Sequence, residues 1–205
     1  MRRLWAPIGI LLTVLGQAGA NAIDVRLTEE DIQRATELAR FPHTDAERAQ
    51  FHKRYTVVVN GPVVGYFAVE TIEVITPFRR MELIAEEHAR VNDLFARGGL
   101  HDAEEAIQPW RDRVSVVVRL RFDLTKIITG VPDADVTLEG PSPAFPISIS
   151  DSGIYTRTND GTLLVGGIVD AAFDVRDVGQ VTQPVVVRWN GKEVARVAVN
   201  FATIE

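Results

Sequence analysis

The chain contains no cysteine. Disulfides, thiolate metal centres, a lipid-modified cysteine and a cysteine nucleophile are therefore excluded, and stability must come from an ordinary apolar core. Lysine is nearly missing as well: only Lys53, Lys126 and Lys192 occur, against a majority of arginines. Basic residues are in deficit overall, with 22 lysines and arginines against 28 aspartates and glutamates and a formal charge of −6. That balance argues against nucleic acid or an anionic membrane surface as a general partner, because both select basic faces. Serine is confined to positions 115, 142, 148, 150 and 152, and none of these stands in a Gly-x-Ser-x-Gly elbow. A Walker loop, a His-Glu-x-x-His pair and a Gly-x-Gly-x-x-Gly turn are also missing, so the usual signatures of acyl transfer, phosphate binding and dinucleotide binding are not there to read.

The longest apolar run is residues 4–15, preceded by Arg2 and Arg3 and followed by the small-residue stretch "GQAGANA". This is the three-part layout of a secretory leader, with cleavage expected after Ala20 or Ala22. The run is interrupted by Pro7 and Gly9 and falls short of the roughly 20 residues that span a bilayer; an uncleaved anchor is the alternative. Loss of Arg2 and Arg3 would leave 20 basic residues against 28 acidic ones, a charge of about −8. The chain is then expected to be periplasmic or secreted, with no transmembrane segment after leader removal.

Helical signals follow. Thr28, with Glu29, Glu30 and Asp31 behind it and Leu27 placed to staple onto Ile32, starts a helix that runs to about Arg40 and stops at Phe41-Pro42. "TDAE" at 44–47 is a second capping box, opening a short helix that ends near Arg54. β-branched runs near 55–59 and 66–75, separated by Asn60-Gly61-Pro62, predict a hairpin with a loop longer than two residues. Pro77 then opens one long amphipathic helix, expected to end at Gly98-Gly99. On its apolar stripe lie Met81, Ile84, His88, Val91 and Phe95; Arg79, Glu82, Glu86, Arg90 and Asp93 form the expected solvent face, with Glu86 and Arg90 paired. A last turn, "DAEEAI", is capped by Asp102 and stopped by Pro109.

From Val114 onward the period is two. Val114, Val116, Val118, Leu120 and Phe122 alternate with Ser115, Val117, Arg119 and Arg121, and seven or eight short runs follow in about 90 residues. Asn190-Gly191 is the strongest hairpin signal. The fold class is α+β: a leader over 1–22, a helical and hairpin region over 23–112, and an immunoglobulin-like antiparallel β-sandwich over 113–205. Between the halves there is no Ser/Gly/Pro-rich linker, so the competing arrangement is a single unit in which the 55–76 hairpin pairs with the strand at 114–123.

Candidate chemistry is sparse. His43, His52, His88 and His101 all fall in the helical half near carboxylates, which supplies metal-ligand types without ligand spacing. His88 and His101 are the histidine candidates; the ordinary reading of His88 is a neutral ring satisfied inside the packing. Asp133 and Asp135 in "PDADV" are candidates for calcium or another divalent metal, since calcium gathers loop oxygens, although Asp133, Asp135, Asp151, Asp160, Asp174 and Asp177 also suit ordinary turns. No other cofactor is expected. Trp110 and Trp189 are either exposed anchors for a partner or closures of the core ends. Arg119 and Arg121 read as a solvated strand face. Together these features predict an exported, non-enzymatic protein-binding module acting on another envelope or extracellular protein; a metal-dependent enzyme of the helical histidines and carboxylates, and a structural subunit of an envelope assembly, are the alternatives.

Overall fold

A computed structural model describes residues 27–40, 44–92, 95, 100–159, 161–179 and 181–204. Residues 1–22, where a leader was expected, together with Phe41-Pro42, His43, Asp93, Gly98-Gly99 and Asp160, lie outside the described residues. Among the described residues four helices, α1 (Glu29–Arg40), α2 (Asp45–Lys53), α3 (Pro77–Arg90) and α4 (His101–Ile107), accompany eight strands. The strands are β1 (Thr56–Val58), β2 (Phe67–Ile75), β3 (Arg113–Phe122), β4 (Ala134–Leu138), β5 (Ser148–Thr158), β6 (Gly161–Asp174), β7 (Thr182–Trp189) and β8 (Lys192–Asn200). They form two antiparallel sheets, in the orders β1-β2-β3-β6-β5 and β4-β7-β8. The architecture is α+β.

The larger sheet crosses position 113. β2 pairs with β3 from Phe67↔Phe122 to Ile75↔Ser115, so the helical half contributes two of the five strands and the pairing offered as the competing arrangement is formed. One apolar cluster joins the sheets, with Ile72, Val116, Val118, Val169 and Phe173 meeting Val136, Leu138, Val185 and Val187. A second, made by Ile32, Ala35, Phe78, Met81, Ala85 and Ile107, sits among the helices.

Most local signals act as expected. Thr28 Oγ1 accepts from the Asp31 amide at 3.2 Å and the Asp31 carboxylate accepts from the Thr28 amide at 3.0 Å, the reciprocal cap of α1. Thr44 and Glu47 do the same for α2, and Thr76 caps α3 with Pro77 in its first turn. Asn190 and Gly191, at φ 50° and 72°, make the β7–β8 turn.

Three expectations are corrected. The long helix ends at Arg90, and Asn92 at φ 54° turns the chain away; at 14 residues α3 is only slightly longer than α1, with 12. Asp102 does not cap α4, whose N-cap is Leu100 with no side-chain hydrogen bond. The runs "FPISIS" and "GIYTRT" merge into β5, and "TLLVGGIV" and "AAFDV" into β6, because Gly153 and Gly167 do not break the chain but face each other in the ladder.

The sheets differ in width. At about 4.8 Å between strands, five strands overhang three by roughly 10 Å. The uncovered part is β5, every residue of which is exposed or half-buried.

Candidate functional site

The first place where charge gathers is the expected solvent face of α3. Arg79 and Glu82 are both 0% exposed, and Glu86 is also buried. Arg79 Nη1 donates to Glu82 Oε2 at 3.2 Å and Nη2 to Glu73 Oε1 at 3.2 Å. Arg54 Nη2 reaches the other Glu82 oxygen at 2.5 Å. Arg79 also donates to His52 Nδ1, and His52 Nε2 lies 3.1 Å from Glu86 Oε2. Because guanidinium has no acceptor, Nδ1 must accept, which places the ring proton on Nε2, aimed at Glu86. The Arg79 guanidinium carbon stands 4.4 Å from the Tyr55 ring centroid and 5.3 Å from that of Phe51. Burial raises the Glu82 carboxyl above the usual carboxylate range against the pull of Tyr55, Arg54 and Arg79. Burial first, and the Glu82 charge beside it, drive the Tyr55 phenol upward. Apart from Arg79 Nε, which has no hydrogen-bond partner, the polar groups of this cluster are engaged with one another. They tie α2 and α3 to the β1–β2 hairpin, and we assign them a structural role.

The sequence-derived candidates do not converge. His88 is half-buried and stacks on Phe95, ring centroids 4.0 Å apart and planes 5° from parallel. Asn92, four residues on, is the left-handed residue that follows the end of the helix. Val91 of the expected apolar stripe is 68% exposed, and Glu86 pairs with His52 instead of Arg90, which reaches Glu87 at 3.4 Å. His101 is exposed at the start of α4, and Asp133 and Asp135 are exposed before and within β4. Among the described residues no group of three or more histidines, aspartates or glutamates is placed to hold a metal.

Trp110 and Trp189 pack inward. Trp110 lies against the helical cluster, with the Arg80 guanidinium 4.2 Å from its ring centroid. Trp189 meets Phe67 edge-on at 5.3 Å and Tyr66 at 5.9 Å. Gly65, at φ +66°, makes room for it: a β-carbon there would come within 2.8 Å of the indole.

The open chemistry lies instead at β5. Leading into and along this edge, Phe145 is 66% exposed, Ile147 55%, Ile149 42% and Tyr155 63%. No β5 side chain belongs to the buried core. On the opposite face of the sheet, where the helices do not reach, Glu70, Arg119, Arg121, Leu124, Ile154 and Val165 line a cleft of about 430 Å³. Arg119 is committed to Glu70 at 3.0 Å. β5 was not among the sequence-derived candidates. The exposed alternation Phe145-x-Ile147-x-Ile149 was its visible signal.

No described helix is long and apolar enough to cross a membrane. The chain matches no family model, no curated protein and no solved structure.

Proposed function

We propose that the chain is an exported protein-binding module of the bacterial envelope or the extracellular space, and that β5 is its docking element. One observation carries this reading: an 11-residue strand at the edge of a five-stranded sheet, uncovered along its length and flanked by exposed apolar side chains. An open edge offers a row of unpaired amides and carbonyls to an added strand, and alternate side-chain contacts supply selectivity. The leader-like start with Arg2, Arg3 and the small residues before Asn21 supports export. The immunoglobulin-like reading of the β half belongs to the same proposal, by analogy of architecture with sandwiches that bind through edges and loops.

The test is site-specific photo-crosslinking in the exporting cell. A photoreactive residue at Ser152 should yield a covalent adduct with another polypeptide chain, while the same residue at Lys192, the first residue of β8, yields none. Ile147→Lys with Ile149→Lys, both at solvent-facing positions, should suppress the adduct without altering circular dichroism. A folded chain that gives no adduct from any β5 position refutes the reading.

A further inference from the structure

The sequence of β5 is complementary to itself. Outward from Ile154, Gly153 answers Tyr155, Ser152 answers Thr156, Asp151 answers Arg157 and Ser150 answers Thr158. We propose that the occupant of this edge is a second copy of the chain, running antiparallel on a two-fold axis at Ile154, so that two five-stranded sheets join into one of ten strands. The inference rests on β5 being the docking element, and adds what docks there.

Charge selects the register. On such an axis every residue faces its counterpart, which sets Asp151 against Arg157 of the other copy twice, once on each side of the axis. Opposite charges directly across an antiparallel pair stabilise it, and like charges destabilise it. Both residues are exposed, and among the described residues neither has an ion-pair partner within the chain. Moving the axis to Gly153 would set Asp151 against Tyr155 and Arg157 against Ile149. Moving it to Tyr155 would set Asp151 against Asn159 and Arg157 against Gly153. Intermediate positions are closed, because a two-fold perpendicular to the sheet must pair one residue with itself for side chains to share a face.

The remaining pairs suit the same register. Ser150 with Thr158, and Ser152 with Thr156, are small hydroxyl pairs of the kind that favour cross-strand contact. The edge itself is regular. Ile154 pairs with Gly166 and Tyr155 with Leu164, so the extra residue of the bulge, Val165, is inserted into β6 and leaves β5 unbroken. Neither lysine nor proline occurs between Ser148 and Thr158, although these are the residues by which free edges usually repel a second strand. Ile154 lines the cleft, and joining the copies there would bring the two clefts side by side across the axis.

The test uses the full chain, expressed with its leader and purified as exported. Sedimentation equilibrium should give twice the chain mass. Asp151→Arg alone places two Arg–Arg pairs across the axis, and Arg157→Asp alone two Asp–Asp pairs; each should weaken dimerisation about tenfold or more. Mixed in equal amounts, the two single variants should recover dimer as a heterodimer, since every arginine then meets an aspartate. The double variant should recover it as a homodimer. Unchanged circular dichroism keeps the single variants interpretable. A wild-type chain that stays monomeric, a dimer indifferent to either swap, or a mixture that fails to recover would overturn self-pairing. The crosslink at Ser152 separates the two readings: an adduct of twice the chain mass supports self-pairing, one of any other mass retains β5 docking and overturns self-pairing, and the absence of an adduct from every β5 position removes both.

Discussion

Among the described residues two arginine–glutamate networks, one buried and one at the surface, use the same residue types to opposite effect. Beneath α3, Glu82 is fully buried between Arg54, Arg79 and Tyr55, and burial raises its carboxyl above the usual range. On the smaller sheet, Glu139 takes Arg188 and, at 2.6 Å, Arg196, which also holds Glu193 at 2.6 Å. There the arginine hydrogen bonds win, and the Glu139 carboxyl lies below its usual range. The difference is desolvation. A carboxylate that keeps its water gains from each added cation, whereas one that loses its water needs several partners merely to offset that loss.

The sharpest way to break the comparison is Arg79→Leu. Arg79 is 0% exposed and serves Glu82, Glu73 and His52 at once; removing it takes a partner from the buried Glu82 carboxylate and should cost about 3–5 kcal/mol, read as a lowered urea midpoint with unchanged slope. Adding Glu82→Leu should return a large part of that loss, because the stranded charge leaves with its partner. A double variant as unstable as the sum of the singles would show that the pair is not coupled.

Tyr55→Phe should cost less, about 1–2 kcal/mol, since it removes one donor to the Glu82 carboxylate but leaves both arginines in place. Thermal melts at constant pH read this directly.

Acidity separates the networks by sign. Glu82 titrates higher folded than unfolded, so the folded state binds its proton more readily. Its contribution to stability is therefore greatest at low pH and falls as pH rises from the ordinary carboxylate range through the raised folded value. Glu82→Gln should remove that downward slope. Glu139 titrates lower folded than unfolded. Its contribution is present above the unfolded value and lost as pH falls through the folded one. The smallest effect is expected from Glu139→Gln, a slight loss that disappears in high salt because these groups face solvent. A loss that persisted in high salt would erase the distinction between the two networks.

How much was legible in advance depended on the range of the interaction. Thr28 with Asp31, Thr44 with Glu47, Pro77 and Asn190-Gly191 act through neighbours three or fewer residues away, and each appears where its chemistry requires. The α3 stripe failed for the opposite reason. Periodicity treats Arg79, Glu82 and Glu86 as water-seeking, but they find polar partners in Arg54, His52 and Glu73, groups that approach only when α2 and the β1–β2 hairpin fold against the helix. His88 and Val91, counted as core, lie where no element covers them fully. Among the described residues the metal candidates stay dispersed, since His101 and Asp133 share a chain without sharing a site.

By itself the sequence determined the α+β class, the caps of the first three helices, the hairpin turns, the alternation that buries Val114, Val116 and Val118, and the exclusion of every cysteine-dependent device. These follow from backbone preference and from periods of two and 3.6, which need no knowledge of distant partners. Tertiary structure alone decided that β2 pairs with β3 across position 113, that the charged face of α3 turns inward, and that five strands face three, leaving β5 uncovered. Those outcomes depend on which long-range surfaces meet and how wide each layer is, and burial, not residue type, then sets the sign of a charge's contribution.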